Sequence, residues 1–147
     1  MKKINDRPVF FYAGLISLVI ASFLGLISCY SIYFVENKVT NLIESKADFN
    51  KNYQAAFSLL KTPQLFAHYD FFDAKGEEVK KALKYFKEKQ NSGLKIEAAD
   101  KEYLKILLKR REQGSTLGLK TMIYFSLISV FSWLFFLKEG YVTREKK

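Results

Sequence analysis

Cysteine is almost missing from these 147 residues: Cys29 stands alone, so a disulfide framework is excluded. Histidine is equally scarce. With only His68 present, the segment His68-Tyr69-Asp70-Phe71-Phe72-Asp73 holds three candidate ligands, but their spacing fits neither a structural zinc site nor an EF-hand loop. There is no Gly-rich phosphate loop and no nucleophile elbow. No catalytic residue, metal site or cofactor is therefore expected, and the chain reads as a non-enzyme.

Charge is absent from two stretches. Residues Pro8 to Val35 form 28 consecutive uncharged positions, and Thr121 to Leu137 form a second run. The second extends toward Ser115 if Lys120 sends its ammonium back to the interface. About 20 apolar helical residues cross a bilayer core of roughly 30 Å, so both runs qualify as spans. Neither run contains an acidic residue or a histidine, which argues against a self-contained transporter or proton relay.

The net charge of +9 is distributed rather than concentrated. Residues 1–7 carry +2, residues 138–147 carry +2, Lys120 adds one, and the 80 residues from Glu36 to Ser115 carry +4. Half the surplus thus lies at membrane edges, where topology and anionic headgroups account for it better than phosphodiesters do. The middle segment follows no nucleic-acid module, and no nucleic-acid partner is expected.

Leu26-Ile27-Ser28-Cys29 has the residue types of a lipoprotein cleavage box behind a Met-Lys-Lys start. A secretory apolar region is about 7 to 15 residues long. Here the uncharged stretch before the box already covers Pro8 to Gly25, and Tyr30 to Val35 continue it. A lipoprotein acylated at Cys29 therefore remains only a minor alternative to a permanent span.

Spacing supports the span. Gly14, Ser17, Ala21, Gly25 and Ser28 recur at three or four residues, a small-residue face that lets helices approach closely in lipid. The same steps continue through Ile32, Val35, Val39, Leu42, Lys46, Phe49, Tyr53, Ala56 and Leu60, an apolar seam suited to water. Only Lys46 interrupts it. The pattern predicts one helix from residue 8 to 61, roughly 80 Å long at 1.5 Å per residue, stopped by Thr62-Pro63.

Beyond it, the aromatic stretch 64–76 reads as a short cap in which Phe66, His68, Tyr69, Phe71 and Phe72 could meet a partner or ligand. Gly76, Glu77 and Glu78 open a helix over 77–90 with Val79, Ala82, Leu83 and Phe86 on its apolar face, closed by Asn91-Ser92-Gly93. Then Ile96, Ala99, Tyr103, Ile106, Leu107, Leu117, Thr121, Tyr124, Ile128, Phe131 and Phe135 suggest a second long helix returning into the membrane, with Gly114 as a bend. Phe10, Phe11 and Tyr12 near Arg7, and Trp133 near Lys138, suggest aromatic belts at one membrane face.

The expected fold is all-α: a two-pass transmembrane helical hairpin whose long helices extend out of the membrane and carry a small helical cap. Its parts are a tail at 1–7, a span at 8–35, a coiled-coil-like segment at 36–115 with its cap at 62–93, a span at 116–137 and a basic tail at 138–147. Long segments translocate with little regard to charge. That places both termini in the cytoplasm and residues 36–115 outside a bacterial inner membrane, although Lys109-Arg110-Arg111 argues the other way.

In outline this order resembles the sensor half of bacterial chemoreceptors and related kinases, which implies a ligand-responsive extracytoplasmic bundle. Only residues 138–147 follow the second span here, so no signalling output is expected on the chain. The leading expectation is an accessory or scaffold subunit whose partners are the bilayer and other membrane subunits or itself. A sensor acting on a separate effector is the alternative, and a phage lysis or toxin-like protein a minor one.

Overall fold

The computed structural model describes residues 7–45, 48–61, 74–94 and 97–144. Among them the chain is helical and holds no strand. Helix α1 (Arg7–Tyr30) passes through a π-helical turn (Ser31–Glu36) into α2 (Asn37–Glu44); α3 (Phe49–Leu60), α4 (Ala74–Asn91), a 3-10 turn (Ala98–Asp100) and α5 (Lys101–Arg144) follow. Two helical stretches, Arg7–Glu44 and Lys101–Glu139, are long and apolar enough to cross a membrane. The chain divides into two compact units, residues 1–26 with 119–147, and residues 27–118.

The first unit pairs the start of α1 with the end of α5 in antiparallel fashion. Phe10 stacks on Phe135 with centroids 5.4 Å apart, Phe11 meets Trp133 edge-on, and Ser129 Oγ donates to the Gly14 carbonyl at 2.9 Å. Its polarity is the reverse of a water-soluble helix pair. Ser17, Ala21, Ser129 and Ser132 are buried, whereas Leu15, Ile16, Val19, Phe23, Ile123, Leu127, Val130 and Leu134 face outward. Outward hydroxyls satisfy themselves: Ser22 donates to the carbonyl of Leu18 and the half-buried Ser126 to that of Met122, as helices in apolar surroundings require.

The second unit has one core, made by α2, α3, α4 and the first half of α5. Val39, Ile43, Tyr53, Ala56, Phe57, Ala82, Phe86 and Leu104 are fully enclosed there, with Phe57 and Phe86 stacked at 4.9 Å. Three corrections to the sequence reading follow from it.

The single helix over 8–61 is interrupted. Ser45 leaves the helical region at ψ 130°, Asp48 adopts φ 36°, and the Asp48 carboxylate accepts from the Lys51 amide at 3.4 Å to start α3. Aspartate tolerates this left-handed conformation better than most residues. In the sequence, the stripe's one charged position, Lys46, falls between Ser45 and Asp48. A seam that must bury apolar area cannot continue through an ammonium, and the next capping residue starts a new helix instead. α3 therefore packs back on α2 rather than prolonging it, so the 80 Å arm does not form.

The second correction concerns Gly114, which makes no bend assignment necessary: α5 is continuous over 44 residues. The third is rotational. On α5 Leu107 of the expected face is inward, but Leu117, Tyr124 and Phe131 are outward; Phe131 is 57% exposed while its neighbour Ser132 is 8% exposed. The inward positions are Asp100, Leu104, Leu107, Leu108, Arg111, Ser115, Ser129 and Ser132. Choosing the most apolar stripe as the packing face follows the logic of water, and in an apolar solvent large side chains have no such reason to turn inward.

Helix α4 begins at Ala74, three residues before the expected Glu77. Ala82 and Phe86 are buried with Val79 and Leu83 packed against the core. Gly93, at φ +63°, ends it in a Schellman motif: the Leu94 amide reaches the Lys89 carbonyl at 3.2 Å and the Gly93 amide that of Gln90 at 3.3 Å.

Candidate functional site

The 3–4 stripe of the first span is placed as follows. Ser17, Ala21 and Ser28 are buried. Gly14 lies where a Cβ would stand 3.0 Å from Trp133 Nε1 and 3.3 Å from Ser132 Cβ, and at Gly25 the nearest atom would be Met122 Sδ at 2.7 Å. These two glycines should respond differently to alanine. Trp133 is held by Phe11 and Phe136, whereas a thioether end swings aside. Gly14→Ala is expected to cost about 1 kcal/mol through overpacking and Gly25→Ala much less, measured by reversible unfolding in mixed micelles. Equal effects would show that Trp133 yields as easily as Met122.

Of the seam, Val35, Val39, Tyr53 and Ala56 are in the core of the second unit, and Leu42 and Leu60 pack against it. Phe49 opens α3. The cap residues Phe66, His68, Tyr69, Phe71 and Phe72 lie outside the described residues, as do the tails at 1–6 and 145–147.

The most concentrated chemistry lies elsewhere, in a buried polar cluster on the π-helical turn. Its backbone signature is the Asn37 amide bonding the Ile32 carbonyl five residues back. A five-residue closure brings Ser31 and Glu36 together, and Ser31 Oγ donates to Glu36 Oε1 at 3.0 Å. From α5, Ser115 Oγ donates to the same oxygen at 2.5 Å, and Arg111 Nε donates to Ser31 Oγ at 2.9 Å. Arg111 Nη1 reaches the Leu59 carbonyl in the last turn of α3 at 3.5 Å. All four side chains are buried. Ser31 uses its one proton toward the carboxylate and a lone pair toward the guanidinium, so it relays between the two opposite charges. One arginine thereby ties together the π turn, the last turn of α3 and α5.

Sequence reasoning missed this cluster for two reasons. Glu36 and Ser31 are five apart, a spacing at which an α-helix does not juxtapose side chains. Arg111 was assigned to a basic membrane-edge run, although the spacing 100, 104, 107/108, 111, 115 places it on the inward face of α5.

A second buried charge closes the far end of α4. Asp100 accepts from Tyr85 Oη at 2.6 Å, from Lys89 Nζ at 2.5 Å and from the Glu97 amide at 2.7 Å, and Tyr85 stacks on Tyr103. Burial alone would raise this carboxyl, but Lys89, Tyr85 and the Glu97 amide together hold it below its ordinary value. The Asp100 carboxylate in turn raises Lys89.

The signs set a pH window. Stability from Asp100 is present above its unfolded value of about 3.9 and is lost as pH falls below it; that from Lys89 is present below about 10.4 and is lost as pH rises beyond it. The second unit should therefore be most stable between roughly pH 5 and 10. Asp100→Asn should cost about 2 kcal/mol at neutral pH and flatten the acid limb. Unfolding followed by circular dichroism at several pH values checks both, and an unchanged acid limb would refute the assignment.

Among the described residues, fold and site define a helical protein with two helices long and apolar enough to cross a membrane and a helical unit locked by buried charges. Compared with known protein families, with curated proteins and with solved structures, the chain found no match.

Proposed function

We propose that this chain is a non-enzymatic, two-pass integral membrane protein that serves as an accessory or scaffold subunit, joining other membrane proteins or copies of itself. The observation that carries the reading is the reversed polarity of the first unit, with hydroxyls and small residues inward and large apolar side chains outward. Such a surface is stable only where lipid or other membrane helices cover it. Exposed Tyr12 near the start of the first uncharged run and exposed Tyr30, Tyr33 and Phe34 at its end suit the two interfacial zones. In this reading residues 8–35 and 116–137 form a membrane hairpin in a bacterial inner membrane, both termini are cytoplasmic, and residues 36–115 stand outside.

Detergent extraction followed by native mass measurement tests the assembly claim. A complex of several chains is expected, and a stable, monodisperse monomer would overturn it. A sensor acting on a separate effector is the second reading, favoured by the π-helical turn, since such turns recur at functional sites. It expects Tyr69 or Phe71 substitutions to alter a downstream response while leaving assembly intact.

A further inference from the structure

We propose that a groove between α4 and α5, lined by Glu78, Val79, Ile106, Lys109, Arg110 and Gln113, holds the headgroup of phosphatidylethanolamine. The proposal rests on the membrane reading above. The groove has a volume of about 200 Å³, below the roughly 300 Å³ at which pockets for drug-sized ligands begin. It therefore suits a headgroup whose acyl chains stay outside.

Its lining carries both signs of charge over an apolar floor. Lys109 and Arg110 offer cationic donors to a phosphodiester, the arginine as a planar fork whose Nη1 donates to Gln113 Oε1 at 3.4 Å. Glu78, on α4, is exposed and offers a carboxylate to a primary ammonium. Val79 and Ile106 give the glycerol and first methylenes an apolar contact. Gln113 stands three residues before the second span of the reading above, which begins at residue 116.

The pairing selects among lipids. Phosphatidylglycerol can meet Lys109 and Arg110 but brings no cation of its own to Glu78. Phosphatidylcholine has a quaternary ammonium with no N–H to donate. Only an aminophospholipid satisfies both ends.

The test uses the full chain in detergent, titrated with phosphatidylethanolamine, phosphatidylglycerol and phosphatidylcholine of identical acyl chains, with bound lipid counted by native mass spectrometry. Phosphatidylethanolamine should be retained about fivefold more strongly than either rival, the value of ~1 kcal/mol for one exposed ion pair. Glu78→Gln, on an exposed side chain, should bring it down to the level of phosphatidylglycerol. Lys109→Gln with Arg110→Gln should weaken both. Equal retention of the three lipids, or an undiminished preference in Glu78→Gln, would overturn the proposal. So would displacement of the lipid by millimolar inorganic phosphate, which would show a plain phosphate site. Release of the chain from membranes by alkaline carbonate would instead sink the membrane reading itself.

Discussion

Arg111→Ala is expected to destabilise the second unit by about 3–5 kcal/mol, the cost of leaving a buried charge without its partner. Arg111 is 7% exposed and Glu36 is 8% exposed, so water cannot replace what is lost. Alanine would strand the Glu36 carboxylate with two hydroxyls, and it would remove one of the donors to the Leu59 carbonyl, which the Lys61 amide also reaches. Denaturant unfolding in micelles, followed by circular dichroism, measures the loss. The double change Glu36→Met with Arg111→Met should recover most of it, because apolar residues of similar volume often replace a buried ion pair without penalty. Ser31 and Ser115 could then return their protons to carbonyls four residues back. A single variant as stable as the parent, or a double variant no better than Arg111→Ala, would show that the cluster is not the clamp described.

The same clamp explains why the chain carries a π-helical turn at all. A turn closed over five residues is intrinsically poorer than an α turn, and here the Ser31 to Glu36 bond and its two supports from α5 stabilise it. Cys29, the only cysteine and exposed two residues before the turn, takes a spin label without further substitution. Its mobility should change in Arg111→Ala and return toward the parent in the double variant.

Phe86→Ala should cost the second unit about 4 kcal/mol, in the range for deleting a fully buried aromatic ring. Phe86 is 0% exposed, stacks on Phe57 and meets Tyr85 edge-on. It is the largest α4 side chain fully enclosed in the core, which Ala82 also enters, so its removal should loosen α4 from α3 and α5 together. The expected readout is split: proteolysis within residues 36–115 accelerates by orders of magnitude, while resistance of the chain to carbonate extraction persists. Loss of both would mean that insertion depends on the bundle, and loss of neither would mean that α4 contributes little.

The sequence by itself determined the helical class, because two uncharged runs of helix-length periodicity leave no alternating pattern for strands. It also marked most of the inward face of the first helical stretch: on the 3–4 stripe Gly14, Ser17, Ala21, Gly25, Ser28, Ile32, Val35 and Val39, only Ile32 is not fully buried, a regularity that requires no knowledge of what they touch. The face of α4 was legible for the same reason, with Ala82 and Phe86 at four-residue spacing.

Tertiary structure alone decided the rest. A periodic stripe cannot say whether a helix continues or doubles back, and the stripe became two helices only because α3 could bury Tyr53, Ala56 and Phe57 against α2, α4 and α5. Nor can hydropathy orient the second half of α5, where Ser129 and Ser132 are buried while Ile123, Leu127, Val130 and Leu134 face outward. The cluster at Ser31, Glu36, Arg111 and Ser115 needed both helices and a π turn to exist, since its partners are about 80 residues apart in the chain. Charges that composition assigns to solvent were brought inside because each met its opposite there, and only the folded chain places the two together.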